Sequence, residues 1–313
     1  MPVDPLLRPV IDAMNAQLFG SANAGAELEA AMSAAAAPGL GTLADDAPEV
    51  ASIIGHRVPV PDGEITVRMY TPSGTGPFPV HLFLHGGSFW LGTLDESEAR
   101  CRHTANSAGC VVAAVGYRLA PKHKFPTAPE DCFAALRWLV DNAPALGVDA
   151  ARVSVGGVSA GGNLAAVVAL MARDRGGPPL VFQVLEIPVT DLTLSFPSIT
   201  EKGEGYVLTK ESCGRYVRLY LADPAQATHP YASPYFAGDL SRLPPALVVT
   251  AEFDPVRDEG EAYARRLESA GVAVELVRMN GHIHGSMAFT KLMTSARAHR
   301  ERVHARLRDA YRR

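Results

Sequence analysis

Cysteine is scarce in this chain of 313 residues, and Cys101, Cys110, Cys132 and Cys213 form no C-x-x-C pair. Standing in segments that read as helical, they argue against a disulfide framework and predict reduced, packed thiols in a cytoplasmic setting. No apolar run reaches about 18 residues, the length of a helical membrane span. The start, "MPVDPLLRPVIDAMNAQL", lacks a basic segment followed by a continuous apolar stretch. Neither membrane span nor export signal is therefore expected, and the chain should be soluble. A surplus of positive charge is also missing: 29 basic and 33 acidic residues leave a net charge of −4, too little basic field to recruit nucleic acid or an anionic membrane.

Internal repeats are absent, and the one low-complexity stretch, "AMSAAAAPGLGTLADDAPE", reads as an alanine-rich helix end running into a Gly/Pro linker. Charge of one sign gathers only at the C-terminus, where Arg297, Arg300, Arg302, Arg306, Arg308, Arg312 and Arg313 face Glu301 and Asp309. Val303, Leu307 and Ala310 recur there at helical spacing, which predicts an amphipathic last helix with the arginines on its wet face.

From about residue 50 the pattern becomes rhythmic. "HRVPVPDG" and "EITVRMYTP" predict a hairpin closed by Asp62-Gly63, because that pair readily adopts the positive φ of a tight turn. Short apolar runs follow: "PVHLFLHG", "CVVAAVGY", "RVSVGGVS", "LVFQVLEIP", "ALVVTAEF" and "VAVELVRM". Helical patterns separate them, the last ending at Gly271 as a C-cap. Such alternation predicts a doubly wound α/β fold, a mostly parallel sheet with helices on both faces. Residues 1–50 and 192–230 do not follow the rhythm and are expected to form a cap over the carboxyl edge of the sheet; residues 51–191 and 231–313 form the core.

Chemistry concentrates in "GGVSAGGN", residues 156–163, where Gly157-Val158-Ser159-Ala160-Gly161 fits G-x-S-x-G between a strand and a helix. A serine on that sharp turn stands clear of the sheet, near the N–H groups and dipole of the following helix. A Gly-rich phosphate loop would read similarly. A nucleophilic serine needs a base and an orienting carboxylate. Asp254 follows "LVVTAEF" and is favoured over Asp258, although an Asp before Pro255 could serve only as a helix cap. His282 and His284 compete for the base. A His-x-His pair also suggests metal, but no matching His, Asp or Cys cluster accompanies it, so no metal is expected.

These residues lie in three of five ordered segments that resemble the hormone-sensitive-lipase family of α/β-hydrolase esterases, from about residue 58 to 290. "HGGSFWLG" resembles its His-Gly-Gly-Gly segment, and "VGYRLAPKHKFPTAPEDC" is similar to its stretch after the next strand. "GVSAGGN" resembles its nucleophile elbow, "DPVRDEG" its acid segment and "HIHGS" its histidine segment. The resemblance implies Ser159 as nucleophile, Asp254 as acid and His284 as base, acting without a cofactor on small carboxylic esters with short or medium acyl chains, and often dimers. On this reading the N–H groups of Gly87, Ser88 and Ala160 hold the oxyanion with Gly86 in support, and Phe89, Trp90 and Tyr206 line the substrate pocket. Departures fall at Val158, where an acidic residue is common, at Ser286, where an aromatic is usual, and at Ser88, in place of the third glycine. Serine at position 88 predicts a negative φ there with its N–H still available. Amide hydrolysis, deacetylation or acyl transfer could use the same triad, and a binding protein on this fold would require its loss.

Overall fold

The computed structural model describes residues 2–19 and 43–312. The expected cap segment 1–50 and the alanine-rich stretch therefore lie partly outside the described residues. After helix α1 (Arg8–Phe19), strands β1 (Ser52–Val60), β2 (Gly63–Thr71) and β3 (Phe78–Leu84) lead to α2 (Glu98–Ala108) and β4 (Val111–Gly116). Then come α3 (Thr127–Asp141), β5 (Val148–Val158), α4 (Ala160–Asp174), β6 (Phe182–Glu186) and α5 (Lys210–Tyr220). The chain closes with β7 (Ala246–Phe253), α6 (Arg257–Ser269), β8 (Val274–Ile283) and α7 (Thr294–Tyr311).

The strands form one sheet of eight in the order β1-β2-β4-β3-β5-β6-β7-β8, antiparallel at the β1-β2 and β2-β4 pairings and parallel from β4 to β8. The hairpin forms one residue earlier than expected. Val60 pairs with Gly63, leaving Pro61 and Asp62 as the turn, with Asp62 at φ 61°. Proline presets the first turn position and aspartate tolerates the left-handed second one, so Gly63 is released into the first rung of the ladder.

Continuous apolar strands arise because both faces are covered. Along β4, Val111, Ala113 and Val115 enter one core with Leu136 of α3, Leu164 of α4 and Leu267 of α6. Val112 and Ala114 enter the other with Cys101 of α2 and Leu307 of α7. All four cysteines are free and buried. Gly271, at φ 83°, follows α6, and the Val272 N–H donates to the Leu267 carbonyl, as a left-handed helix stop requires.

The C-terminal helix is amphipathic as its spacing predicts, with Val303, Leu307 and Ala310 buried. Its arginines are not uniformly wet. Arg306 pairs with Glu275 of β8, whereas Arg300 reaches Asp45 and Arg308 donates to the Ser107 carbonyl. Among the described residues, no helix is long and apolar enough to cross a membrane.

A third apolar cluster sits at the carboxyl edge of the sheet. Leu7 and Ile11 pack there with Phe253 at the end of β7, Ile283 at the end of β8, Phe289 and Met293. Segment 192–230 reaches the same edge through α5, whose Tyr220 stacks on Phe89 at 3.9 Å.

Candidate active site

The turn from β5 into α4 holds Ser159 at φ 58° and ψ −116°, a region that an L-residue occupies only under constraint. The constraint is steric and hydrogen-bonded. A Cβ on Gly157 would lie 2.3 Å from the Gly161 carbonyl oxygen, and one on Gly161 would lie 2.0 Å from that of Leu84. The Ser159 N–H donates to the Glu186 carbonyl at 2.8 Å, and the Ser159 carbonyl accepts from Asn163 at 3.0 Å.

Asp254, fully buried just past β7, and His284, just past β8, converge on this serine. His284 Nδ1 lies 2.7 Å from Asp254 Oδ2, and its Nε2 lies 2.9 Å from Ser159 Oγ. Because a carboxylate only accepts, Nδ1 carries the proton and Nε2 is left to accept from the serine hydroxyl. The other Asp254 oxygen accepts from the Val256 N–H at 3.0 Å. The array runs unbroken from carboxylate to imidazole to hydroxyl, the arrangement that lets a histidine draw a proton from serine.

The competing residues stand elsewhere. Asp258 accepts from the Ser198 N–H at 3.0 Å and from Arg257 Nε at 2.8 Å. His282 lies between Ser286 Oγ at 2.9 Å and Ser295 Oγ at 2.8 Å. Burial pushes its pKa down to about 4, keeping the ring neutral. Ser286, which the resemblance marked as a departure, ties the histidine loop together: its hydroxyl donates to the Ile283 carbonyl and accepts from the Ile283 N–H. No group of three or more His, Cys, Asp or Glu side chains is disposed to hold a metal among the described residues.

The loop after β3 differs from expectation at Ser88. Its φ is 55°, not negative, and Phe89 follows at 66°. Gly87, Ser88 and Phe89 run through positive φ in succession, a single left-handed turn closed by the Gly87 carbonyl, which accepts from both Trp90 at 3.1 Å and Leu91 at 2.8 Å. Each non-glycine residue there carries about 1 kcal/mol of strain. Gly87 itself, at φ 121°, has no room for a Cβ, which would lie 2.1 Å from the Leu91 carbonyl oxygen. The N–H groups of Gly87, Ser88 and Ala160 donate to no other group among the described residues.

Phe89 is no wall of the cavity that opens beside this loop. It is fully buried, stacked on Tyr220 and 6.2 Å from the Tyr216 ring, so it joins core to α5. Tyr206 also lies away from the cavity, 5.1 Å from Phe253 in the edge cluster. Trp90 does line it, together with Gly86, Gly87, Leu91, Leu119 and Val158, in a space of about 820 Å³.

One contributor, His85, escaped sequence reasoning. His85 donates from Nδ1 to the Gly86 carbonyl at 2.7 Å and stacks on Tyr117, whose hydroxyl donates to the His85 carbonyl. This clamp fixes the peptide plane leading into Gly87; the histidine of "HGGS" was the available signal. Glu259, fully buried, accepts from the N–H groups of Thr190 and Asp191, and burial raises its pKa well above the usual carboxyl range.

The chain's residues 81–288 match the model of an α/β-hydrolase-fold family. It is 44% identical over 263 residues to the carboxylic ester hydrolase LipN of Mycobacterium tuberculosis, spanning 79% of this chain and 70% of that one. The arylesterase of Saccharolobus solfataricus is 42% identical over 229 residues, spanning 73% and 74% respectively. Among solved structures, a hyperthermophilic esterase from Pyrobaculum calidifontis superposes with a TM-score of 0.93 at 41% identity, covering 99% of both chains.

Proposed function

The chain belongs to the hormone-sensitive-lipase family of α/β-hydrolase esterases and is a carboxylic ester hydrolase, and we propose that it works through an acyl-enzyme formed on Ser159. The observation that carries this reading is the continuous contact from Asp254 through His284 to Ser159, at 2.7 and 2.9 Å.

Ser159 Oγ attacks the ester carbonyl carbon as His284 Nε2 takes its proton, and Asp254 stabilises the imidazolium. The N–H groups of Gly87, Ser88 and Ala160 receive the charge that develops on the carbonyl oxygen; one such donor is worth about 10² to 10³ in turnover. The alcohol leaves with the proton from His284. Water, deprotonated by the same imidazole, then attacks the acyl carbon and restores the serine.

Short to medium acyl chains fit a cavity of about 820 Å³ walled by Trp90, Leu91 and Leu119. Residues of α1 and segment 192–230 act as the cap, excluding water from the edge at which the triad sits. Labelling with a fluorophosphonate, followed by mapping of the adduct, tests the nucleophile. A p-nitrophenyl series from acetate to palmitate tests chain length. Modification at any residue other than Ser159, or a preference beyond about twelve carbons, overturns the corresponding part, and faster turnover of matched amides redirects it to amide hydrolysis.

A further inference from the structure

The cavity beside the loop after β3 is lined by both apolar and ionic side chains. Trp90, Leu91, Leu119 and Val158 line it together with Gly87. Arg100 of α2, Glu186 at the end of β6 and His299 of α7 line the same space. Glu186 is almost wholly buried. Its Oε2 accepts from Arg100 at 2.5 Å, and its Oε1 accepts from His299 Nε2 at 2.8 Å. Burial alone would raise this carboxyl; the charge of Arg100 and the hydrogen bond from His299 outweigh it and bring the pKa down to about 2. Glu186 is thus ionised and has both oxygens engaged.

Arg100 is not saturated. It gives one N–H to Glu186 and makes no other hydrogen bond among the described residues, while its side chain remains 27% exposed. A guanidinium carries five N–H donors, so several stay open where it lines the cavity. Charge decides what they can receive. The Arg100 cation is offset by Glu186, and the nearby Arg300 cation by Asp45 at 2.9 Å. A carboxylate brought here would compete with Glu186 for the same donors and would lose its hydration, whereas a neutral carbonyl or ether oxygen would gain a charge-assisted hydrogen bond.

We propose that Arg100 is a specificity-determining residue, selecting esters whose acyl or alcohol arm carries a second, neutral acceptor oxygen beyond a short apolar stem. The proposal rests on the esterase reading above. Glu186 and His299 position the guanidinium, and the apolar walls hold the intervening carbons. An alkyl ester of equal length binds the walls but leaves the donors unmet.

The test compares matched esters on the purified chain. For the acyl arm, p-nitrophenyl 4-oxopentanoate and 5-oxohexanoate are set against the pentanoate and hexanoate; for the alcohol arm, 4-oxopentyl acetate is set against pentyl acetate. In at least one arm the keto ester should be favoured about tenfold in kcat/KM, the value of one hydrogen bond to a charged donor. Arg100→Met should bring that ratio near one while changing the alkyl ester by less than about threefold, and Arg100→Lys should restore part of it. Should Arg100→Met fail to fold because Glu186 is stranded, Arg100→Met with Glu186→Leu removes both charges together and makes the same comparison. Equal rates for keto and alkyl esters in both arms, or a ratio unchanged by the variants, overturn the proposal. So does a half-ester with a free carboxylate outrunning the keto ester. Absence of turnover on every ester would instead overturn the esterase reading, a result distinct from any of these.

Discussion

The backbone N–H of Ser159 donates to the carbonyl of Glu186 at 2.8 Å, which anchors the strained nucleophile turn to the neighbouring strand through main chain alone. The link extends the ladder in which Val158 pairs with Glu186. Because no side chain of Ser159 takes part, the serine hydroxyl can be removed without loosening the turn. Ser159→Ala is expected to lower turnover by at least about 10⁴ while shifting the melting temperature by no more than about 3 °C. Parallel ester assays and calorimetry check the pair of outcomes; a large fall in stability would show that the hydroxyl holds the turn.

Asp254 and Asp258 differ in their contacts, the first on His284 and the second on Ser198 and Arg257. Asp254→Asn keeps the shape but cannot hold the same histidine tautomer, so a loss of about 10³ to 10⁴ in kcat is expected. Asp258→Asn disturbs only the contacts to Ser198 and Arg257 and should keep kcat within about tenfold. Equal losses in the two variants would contradict the assignment.

At Ser88 the left-handed backbone predicts a gain from glycine. Strain relief of about 1 to 2 kcal/mol is partly offset by the larger freedom of glycine in the unfolded chain, leaving Ser88→Gly more stable by up to about 1 kcal/mol. Ser88→Val should be less stable than the parent by about 1 kcal/mol or more, since β-branching worsens the left-handed region. Urea unfolding of the three proteins gives the order directly. Gly161→Ala, whose added carbon meets the Leu84 carbonyl, should fail far more severely, by about 3 kcal/mol or more.

Acid stability is set in part by buried neutral histidines. Burial lowers His81 and His282 to about 4 and His304 to about 3, from an ordinary value near 6.5. Between about pH 6.5 and these values the unfolded chain binds protons that the folded chain refuses. Stability is therefore fully present above about pH 6.5 and falls as the pH drops below it, by at most about 1.4 kcal/mol per pH unit for each histidine. His304→Gln should flatten the decline of melting temperature between pH 6.5 and 4, compared with the parent. An unchanged slope would remove His304 from the account.

Much of this molecule was readable before its structure. Six parallel-sheet strands announced themselves as short apolar runs, those inside the sheet because both their faces are covered, and Ser159, Asp254 and His284 each follow one of those runs. The hairpin turn was displaced by one residue because the proline at position 61 outranks the glycine two places later in setting where the chain bends. Ser88 was misjudged for a physical reason: it lies within a left-handed turn that Gly87 begins and Phe89 continues, which no local preference of serine encodes. Phe89 and Tyr206 could not be placed by hydrophobicity, since an aromatic ring in the core and one in a pocket look alike in sequence. The Glu186 cluster was hidden for the opposite reason. It joins α2, β6 and α7, three elements far apart in the chain, and a single glutamate in an apolar run gives no hint of its partners.

The His85 clamp on the Gly86 carbonyl has a consequence for how this loop can be altered. On the proposed mechanism the groups between positions 86 and 88 that face a reacting ester are peptide N–H groups, and replacing a side chain leaves every one of them in place. Alanine scanning along this segment therefore measures dihedral angles, not functional groups: Gly87→Ala is a collision, Ser88→Ala keeps a strained Cβ, and neither deletes a donor. Exchanging a single peptide bond for an ester linkage would delete one. The chemistry of the loop is thus written in backbone atoms that side-chain substitution can move but never remove.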